Sequence, residues 1–451
     1  MYIKQVPLFK EIAPYSTHLD ETNKWLKLAR MVPWAELDTL YRTYFDPKKR
    51  STTKGCRLIL GLFLGQMLME MSDRKIVEHF HENPYFQYFC GLDSFAIKGK
   101  RTVVHPSLLS KRRRRLGPTY MVEFEHKILF HLHKKGLVKG DKLLLDATVF
   151  PANITYPNDV KLLNTARDTL CTAILNVKNS LDPSRKIRTY RRGAKRLALQ
   201  FQKTRRKTKA YIRKTRNQML RYLKRNIGQL EHLIIEADAW LTSKARPLPL
   251  AVFRKINAKL KIAKAIYEQQ LDMATTRGKR TANRIVSFHQ PDIRPVIRGK
   301  EGKHVEFGTK SHVALVDGYA ILEHTQFNAY HEGNRLERSV EKHRKLFGKH
   351  PKLVLADQLY ATRSNRKWLH DHAIEHGFKL IGRPPDILPE DRRRQRRVLK
   401  RRQSQRNAIE GLFGHVKNHL NLDKCRWSVP GGSELQVRLG LIAFNLNKAV
   451  I

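Results

Sequence analysis

The chain has 451 residues, of which 89 are lysine or arginine and 40 are acidic, for a formal net charge of +49. Its 41% hydrophobic content is that of a folded protein of two or three domains and excludes a disordered polycation. Such a charge calls for a polyanion, and no membrane anchor is in view: the longest apolar run, Leu58 to Met69, falls short of the roughly 20 residues a span needs.

The first residues, Met1-Tyr2-Ile3-Lys4-Gln5-Val6-Pro7, lack the apolar stretch of a signal peptide. Nucleic acid is therefore the expected partner. Residues 1–135 read as a helical N-terminal DNA-binding domain. Apolar residues recur at helical spacing from Leu58 through Phe80, with Ser72-Asp73 as a cap. A further helix begins at Pro106-Ser107 and runs through Leu108 and Leu109 into Lys111-Arg112-Arg113-Arg114-Arg115. A helix ending in five cations can enter a DNA groove or lie along phosphates, which makes Arg112 and Arg113 candidate phosphate ligands. The alternative is a solvated basic helix end.

At Lys142 the pattern changes. Leu143-Leu144-Leu145-Asp146-Ala147-Thr148-Val149-Phe150 is a short apolar run carrying one acid, and its length predicts a buried strand. Residues 158–285 then read as a long basic helical insertion. Between Arg185 and Arg225 stand 18 lysines and arginines and no acid. Leu197, Leu199, Met219, Leu220, Leu223, Leu230, Leu233 and Ile234 supply the apolar stripe of long helices, a helical hairpin in the simplest case. Solvated helices usually mix signs, so the missing acids favour a phosphate-facing surface, with Arg205, Arg206 and Lys207 as contacts. Only Tyr190, Phe201, Tyr211 and Tyr222 interrupt that run, which argues against base stacking as its role.

Strands resume at Val305–Val316 and Tyr319–Phe327 around Asp317-Gly318, a dipeptide that predicts a type I′ hairpin. Lys352-Leu353-Val354-Leu355-Ala356-Asp357 is an apolar strand ending on an acid. A helix from about Ser364, a strand at Phe378–Gly382, a basic and mobile or DNA-facing segment at 391–405, and helices at about 403–419 and 434–448 complete the chain. Cys56, Cys90, Cys171 and Cys425 lie far apart with no C-x-x-C, which argues for reduced buried thiols over a zinc site or disulfides. His372 and His376 have metal-ligand spacing on a helix face, but no H-E-x-x-H occurs and a solvated helix explains them.

Strand, hairpin, strand–helix–strand and terminal helices are the order of an α/β ribonuclease-H-like domain, here residues 136–157 and 286–451. In that order the strands bearing Asp146 and Asp357 can be neighbours. Two adjacent buried carboxylates need cations between them, and Mg²⁺ with all-oxygen ligands fits. The third ligand would be Glu410. On its helix Arg406, Glu410 and Lys417 project within roughly 40° of one another, beside an apolar stripe of Ile409, Leu412, Phe413 and Val416. Spacing alone leaves Asp141, Asp159, Asp292 and Glu306 open as substitutes.

At these residues the chain resembles the DDE transposases of bacterial insertion sequences, of the IS-five type. The resemblance rests on Leu144-Leu145-Asp146-Ala147-Thr148-Val149, on Glu306-Phe307-Gly308-Thr309-Lys310-Ser311-His312-Val313, on Leu355-Ala356-Asp357-Gln358-Leu359-Tyr360, and on Arg406-x3-Glu410-x6-Lys417. The last is similar to the family's Y-x2-R-x3-E-x6-K signature, with Gln403 in place of the tyrosine. Asp46-Pro47-Lys48 to Leu92-Asp93 and His105-Pro106-Ser107-Leu108 resemble the group's N-terminal domain. Residues 185–280 match least.

The resemblance implies a metal-binding triad of Asp146, Asp357 and Glu410, holding two Mg²⁺ (Mn²⁺ as substitute) about 3.5–4 Å apart. It implies cleavage at element ends and strand transfer into target DNA, with Arg406 and Lys417 on phosphate. The implied partners are the element's terminal inverted repeats, target DNA and a second copy in a synaptic homodimer. The implied location is the bacterial cytoplasm, at the nucleoid. His331 and His415 lie near these motifs in sequence, as loop or helix-surface residues. The rival readings are a nuclease or resolvase of the same fold without strand transfer, and a catalytically inactive DNA-binding descendant.

Overall fold

A computed structural model describes residues 19–45, 53–92, 104–239, 249–276, 281, 283–297, 305–379 and 389–450. The chain forms two compact units, residues 1–153 with 308–451, and residues 154–307. Of the expected elements, residues 46–48 and 93 of the N-terminal motif and residues 380–382 of the last strand lie outside the described residues.

The first unit opens with helices α1 (Lys24–Met31), α2 (Trp34–Thr43), α3 (Cys56–Leu68), α4 (Asp73–Glu82), α5 (Pro84–Phe89) and α6 (Ser107–Lys134). The apolar run at Leu58 becomes α3, which is buried on every side, as a helix without a polar face must be. Gly65 lets it pack tightly, since a Cβ there would meet Phe86 Cζ at 2.4 Å. The periodicity from Leu58 to Phe80 spans two helices rather than one. Glu70 turns the chain at φ 52°, and the Ser72 hydroxyl accepts from Lys75 N to start α4. Helix α6 is two segments joined at Gly117, whose φ of 68° precedes Pro118.

The sheet contains β1 (Lys142–Pro151), β2 (Arg294–Ile297), β3 (Val305–Val316), β4 (Tyr319–Gln326), β5 (Leu353–Ala356) and β6 (Glu375–His376). Strand order is β2-β3-β1-β5-β6, with β4 also on β3. β1 is antiparallel to β3 and parallel to β5. The β3–β4 turn carries Asp317 at φ 49° and Gly318 at φ 87°, the two positive values of a type I′ turn. The Asp317 carboxylate also accepts from the amides of Lys139, Gly140, Asp141 and Lys142, which fixes the entry to β1.

Two 3-10 turns, Glu332–Arg335 and Gln358–Tyr360, flank α11 (Leu336–Phe347) and β5. α12 (Arg363–Asp371) leads to β6 at 375–376, a few residues before the strand predicted at Phe378. Residues 389–419 form one helix, α13, so the stretch 391–405 is helical and its described side chains are largely exposed. α14 (Gly432–Val450) is buried along most of its length and packs on α6, α3 and β4.

One hydrophobic core joins the N-terminal helices, the sheet and α14. The separation drawn at residue 135 therefore does not correspond to a separate core. Across this core Glu125 of α6 forms a buried ion pair with Arg438 of α14. Glu125 also accepts from Leu322 N, and Asn445 bonds both N and O of Ala320 at 2.7 Å. These side chains satisfy the outer edge of β4.

The second unit holds α7 (Asp159–Leu181), α8 (Arg191–Lys203), α9 (Lys209–Ala239) and α10 (Leu250–Thr275). Three long helices and a short one pack around their own core, more than the expected hairpin. Met219, Leu220, Leu223, Leu230 and Leu233 are buried as the periodicity predicts, whereas Leu199 is 44% exposed. None of the cations from Arg185 to Arg225 is buried.

Candidate active site

Asp146 lies at the middle of β1 because Leu144 and Leu145 before it and Val149 and Phe150 after it are core residues. The parallel register pairs Leu145 with Ala356, so the next residues along the two strands are Asp146 and Asp357. Asp357 ends β5 and caps the following 3-10 turn, its carboxylate accepting from Gln358 N at 2.6 Å. The third expected acid, Glu410, is on α13, which packs across β1 and β5 through Ile409, Leu412, Phe413 and Val416.

Arg406 links the two elements. Its guanidinium stands 3.7 Å from Asp146 Oδ2 and 3.0 Å from Glu410 Oε1. Lys417, two turns further along α13, donates to Thr148 Oγ1 at 2.8 Å and lies over the Phe150 ring. The cation–carboxylate–cation row of α13 thus runs along β1 from Asp146 to Phe150.

Burial first, and then the charges of Glu332 and Asp357, raise the Asp146 carboxyl to about 6. The Ala147 amide and Arg406 oppose the shift. Glu332, outside every motif of the sequence, is the strongest acidic neighbour of Asp146. It pairs with Lys310 of β3 at 2.6 Å, both side chains being mostly buried. Its 3-10 turn packs against the one after Asp357, where Asn365 Nδ2 donates to both Gly333 O and Tyr360 O at 2.8 Å. Burial together with Glu332 also drives the Tyr360 hydroxyl far above its usual range. A loop acid has no periodicity to mark it, and the only signal was its neighbour His331, which is itself exposed.

Among the described residues no three His, Cys, Asp or Glu side chains are grouped as a metal cluster. Arg406 holds Glu410, and the triad is not closed in this arrangement. The donor set still suits a divalent cation. It offers oxygen ligands only, on neighbouring strands, with Asp146 raised first by burial and then by the nearby charges of Glu332 and Asp357, and a bound cation would offset both.

The other acids weighed in the sequence lie elsewhere. Asp141 pairs with Lys349 and Lys352, and Asp159 with Arg284. Asp159, Asp292 and Glu306 belong to the second unit. His415 packs on Phe444 of α14 and beside His419. His372 follows the end of α12 and stacks on Trp368, while His376 sits in β6, so the two do not share a helix face.

Arg113 is 3% exposed, paired with Asp73 and placed over the Trp427 ring at 4.3 Å, a core position that leaves it no phosphate to reach. Arg112 is half-buried over Phe45, and the exposed cations of that run are Lys111, Arg114 and Arg115. Arg205 and Arg206 are exposed, and Lys207 lies over Phe201.

Residues 14–115 match the family described as Transposase domain (DUF772), and residues 354–428 match the Transposase DDE domain. The second stretch contains Asp357, Arg406, Glu410 and Lys417. The chain is 29% identical over 140 residues to the uncharacterized protein ORF8 in the nfe locus of Rhizobium meliloti, a match covering 30% of this chain and 66% of that protein. No solved structure matches. Among the described residues no helix is long and apolar enough to cross a membrane. The two transposase-domain matches, in chain order and at either end of the first unit, support a DDE-type transposase.

Proposed function

We propose that this chain is a DNA transposase that cuts DNA at the ends of its own element and joins those ends to target DNA. Asp146, Asp357 and Glu410 would hold the divalent cations, Mg²⁺ in the cell. The observation that carries this reading is the placement of Asp146 beside Asp357, with Arg406 reaching from Asp146 to Glu410. The terminal part of that arrangement lies within a stretch similar to a transposase DDE domain.

Bound metal would supply a nucleophilic oxygen at neutral pH and offset charge on the leaving oxygen. The chain's own residues do the rest. For the three carboxylates to share a cation, Arg406 must give up one partner, and a scissile phosphate is a ligand suited to its planar guanidinium. Lys417, tethered to Thr148, is placed to neutralise a phosphate oxygen in the transition state. The exposed cations of α13 and of the second unit take the flanking backbone. Two element ends must be held at once, which calls for a second copy of the chain. The setting is the bacterial nucleoid.

The test is incubation of purified protein with its element's ends, target plasmid and Mg²⁺, with products resolved at nucleotide level. Cleavage and joined product are expected. Asp146→Asn, Asp357→Asn and Glu410→Gln should each abolish cleavage while DNA binding persists, because binding rests on cations elsewhere. Cleavage without joining would identify a nuclease or resolvase, and binding without either an inactive descendant. Loss of binding in all three variants would assign the acids to structure.

A further inference from the structure

A cleft of about 440 Å³ opens beside Asp357 in the first unit, with β5, Gly377 and Lys379 on one wall and α13 on the other. Gly377 lets the walls approach, since a Cβ there would meet Leu355 Cδ2 at 2.7 Å and Arg402 Cβ at 3.3 Å. Two cations of the lining are committed: Arg402 to Glu375 and the His376 carbonyl, and Arg406 to Asp146 and Glu410. Lys379 and Lys400 are exposed, with no ion pair among the described residues. The α13 wall also carries Gln403 and Asn407, one turn apart and on the same helix face. Neither amide makes a side-chain hydrogen bond among the described residues.

We propose that this cleft is a nucleotide subsite in which Gln403 and Asn407 read a base beside the cleaved phosphate. The reading rests on the proposed function, since the phosphate is located by Asp357. Each carboxamide pairs one donor with one acceptor, the pattern that meets the N6 and N7 positions of adenine. Lys379 and Lys400 have donors but no acceptor, so they hold backbone without choosing sequence. An amide at Gln403 offers hydrogen-bond readout, and the base read is adenine. The volume lies within the range that accommodates a small organic ligand.

The experiment uses the full-length protein and a pool of DNA duplexes. Each duplex carries the sequence bracketing the reading frame in its source replicon, with the base pairs flanking the junction randomised. Products cut in Mg²⁺ are sequenced. In parallel, duplexes retained by Asp357→Asn protein in a mobility-shift band are sequenced, which reports preference from binding alone. Adenine is expected at one flanking position with about five-fold or greater preference. Gln403→Ala and Asn407→Ala should remove that preference, and Gln403→Arg should move it toward guanine, which a misfolded variant would not do. Lys379→Ala and Lys400→Ala should weaken retention of all sequences alike. The proposal is overturned if no flanking preference exists, or if it survives both alanine changes. Absence of cutting with an intact, Gln403-dependent preference in the retained duplexes would overturn the catalytic reading and uphold the subsite.

Discussion

Arg406 keeps the candidate site apart as much as together. It is bound to both Asp146 and Glu410, and without it a buried carboxyl already raised to about 6 by burial, Glu332 and Asp357 would face further repulsion. The folded-state value lies above the 3.8 of an unperturbed aspartate, so the folded protein binds the extra proton. Asp146 therefore costs stability once ionised: the cost is absent below about pH 4, grows through pH 4–6 and persists above.

In chelator, Asp146→Asn should be more stable than wild type at pH 7.5, by at most about 3 kcal/mol, and the gap should close by pH 4. Denaturant unfolding at both pH values measures this, and an unchanged gap would exclude ionisation as the cause. Adding Mg²⁺ should then stabilise wild type and leave Asp146→Asn unmoved, if that carboxylate holds the cation. Lys417→Ala should slow the chemical step more than it weakens DNA affinity, one phosphate contact being a small share of the total. Single-turnover cleavage set against binding separates the two, and equal losses would make Lys417 an ordinary backbone contact.

At the scale of elements, the site depends on how closely β1 and β3 run at their outer end. Pro151 pairs with Gly308, and a Cβ on Gly308 would stand 2.1 Å from Phe150 O. Backbone oxygen cannot rotate away as a side chain can. Gly308→Ala should therefore cost about 1–3 kcal/mol in denaturant unfolding and lower cleavage by shifting Thr148 and Lys417. Unchanged stability would mean that the strands separate freely there. The opposite edge of the sheet is held differently, with Glu125, Arg438 and Asn445 taking the backbone groups of Leu322 and Ala320 that a further strand would otherwise occupy. Packing of α6 and α14 on β4 thus covers that edge in place of a further strand.

For the whole molecule, the antiparallel pairing of Pro151 with Gly308 has the chain leave and re-enter the first unit at adjacent strand ends. Replacing residues 154–307 by a short linker closes a small loop, which costs little. The first unit should fold without them. The exposed cations from Arg185 to Arg225 contribute counterion release, so that deletion should flatten the salt dependence of DNA binding while leaving preference for the element's end largely intact. Filter binding across a salt series decides it: an unchanged slope with lost end preference would make the second unit a sequence reader. The N-terminal helices do not offer the same cut, because they share one core with the sheet.

Local signals carried far in this chain. The apolar run around Asp146, the Asp-Gly hairpin, the strand ending at Asp357 and the stripe beside Glu410 were legible because period and turn chemistry are set by neighbouring residues. The stretch 391–405 hid its helix because its cations gave it no apolar face, and it reads as the N-terminal extension of α13. Arg113 hid its burial because the partners that cover it, Asp73 and Trp427, come from other elements. Glu332 reaches Asp146 only through the packing of two 3-10 turns, and Arg406 joins Asp146 to Glu410 only once α13 lies across β1. The sequence by itself determined the strands bearing Asp146 and Asp357, the Asp-Gly hairpin and the apolar stripe beside Glu410, and which residues carry charge. Which charges meet was decided by the tertiary structure, because ion pairs and burial depend on residues brought close from distant parts of the chain.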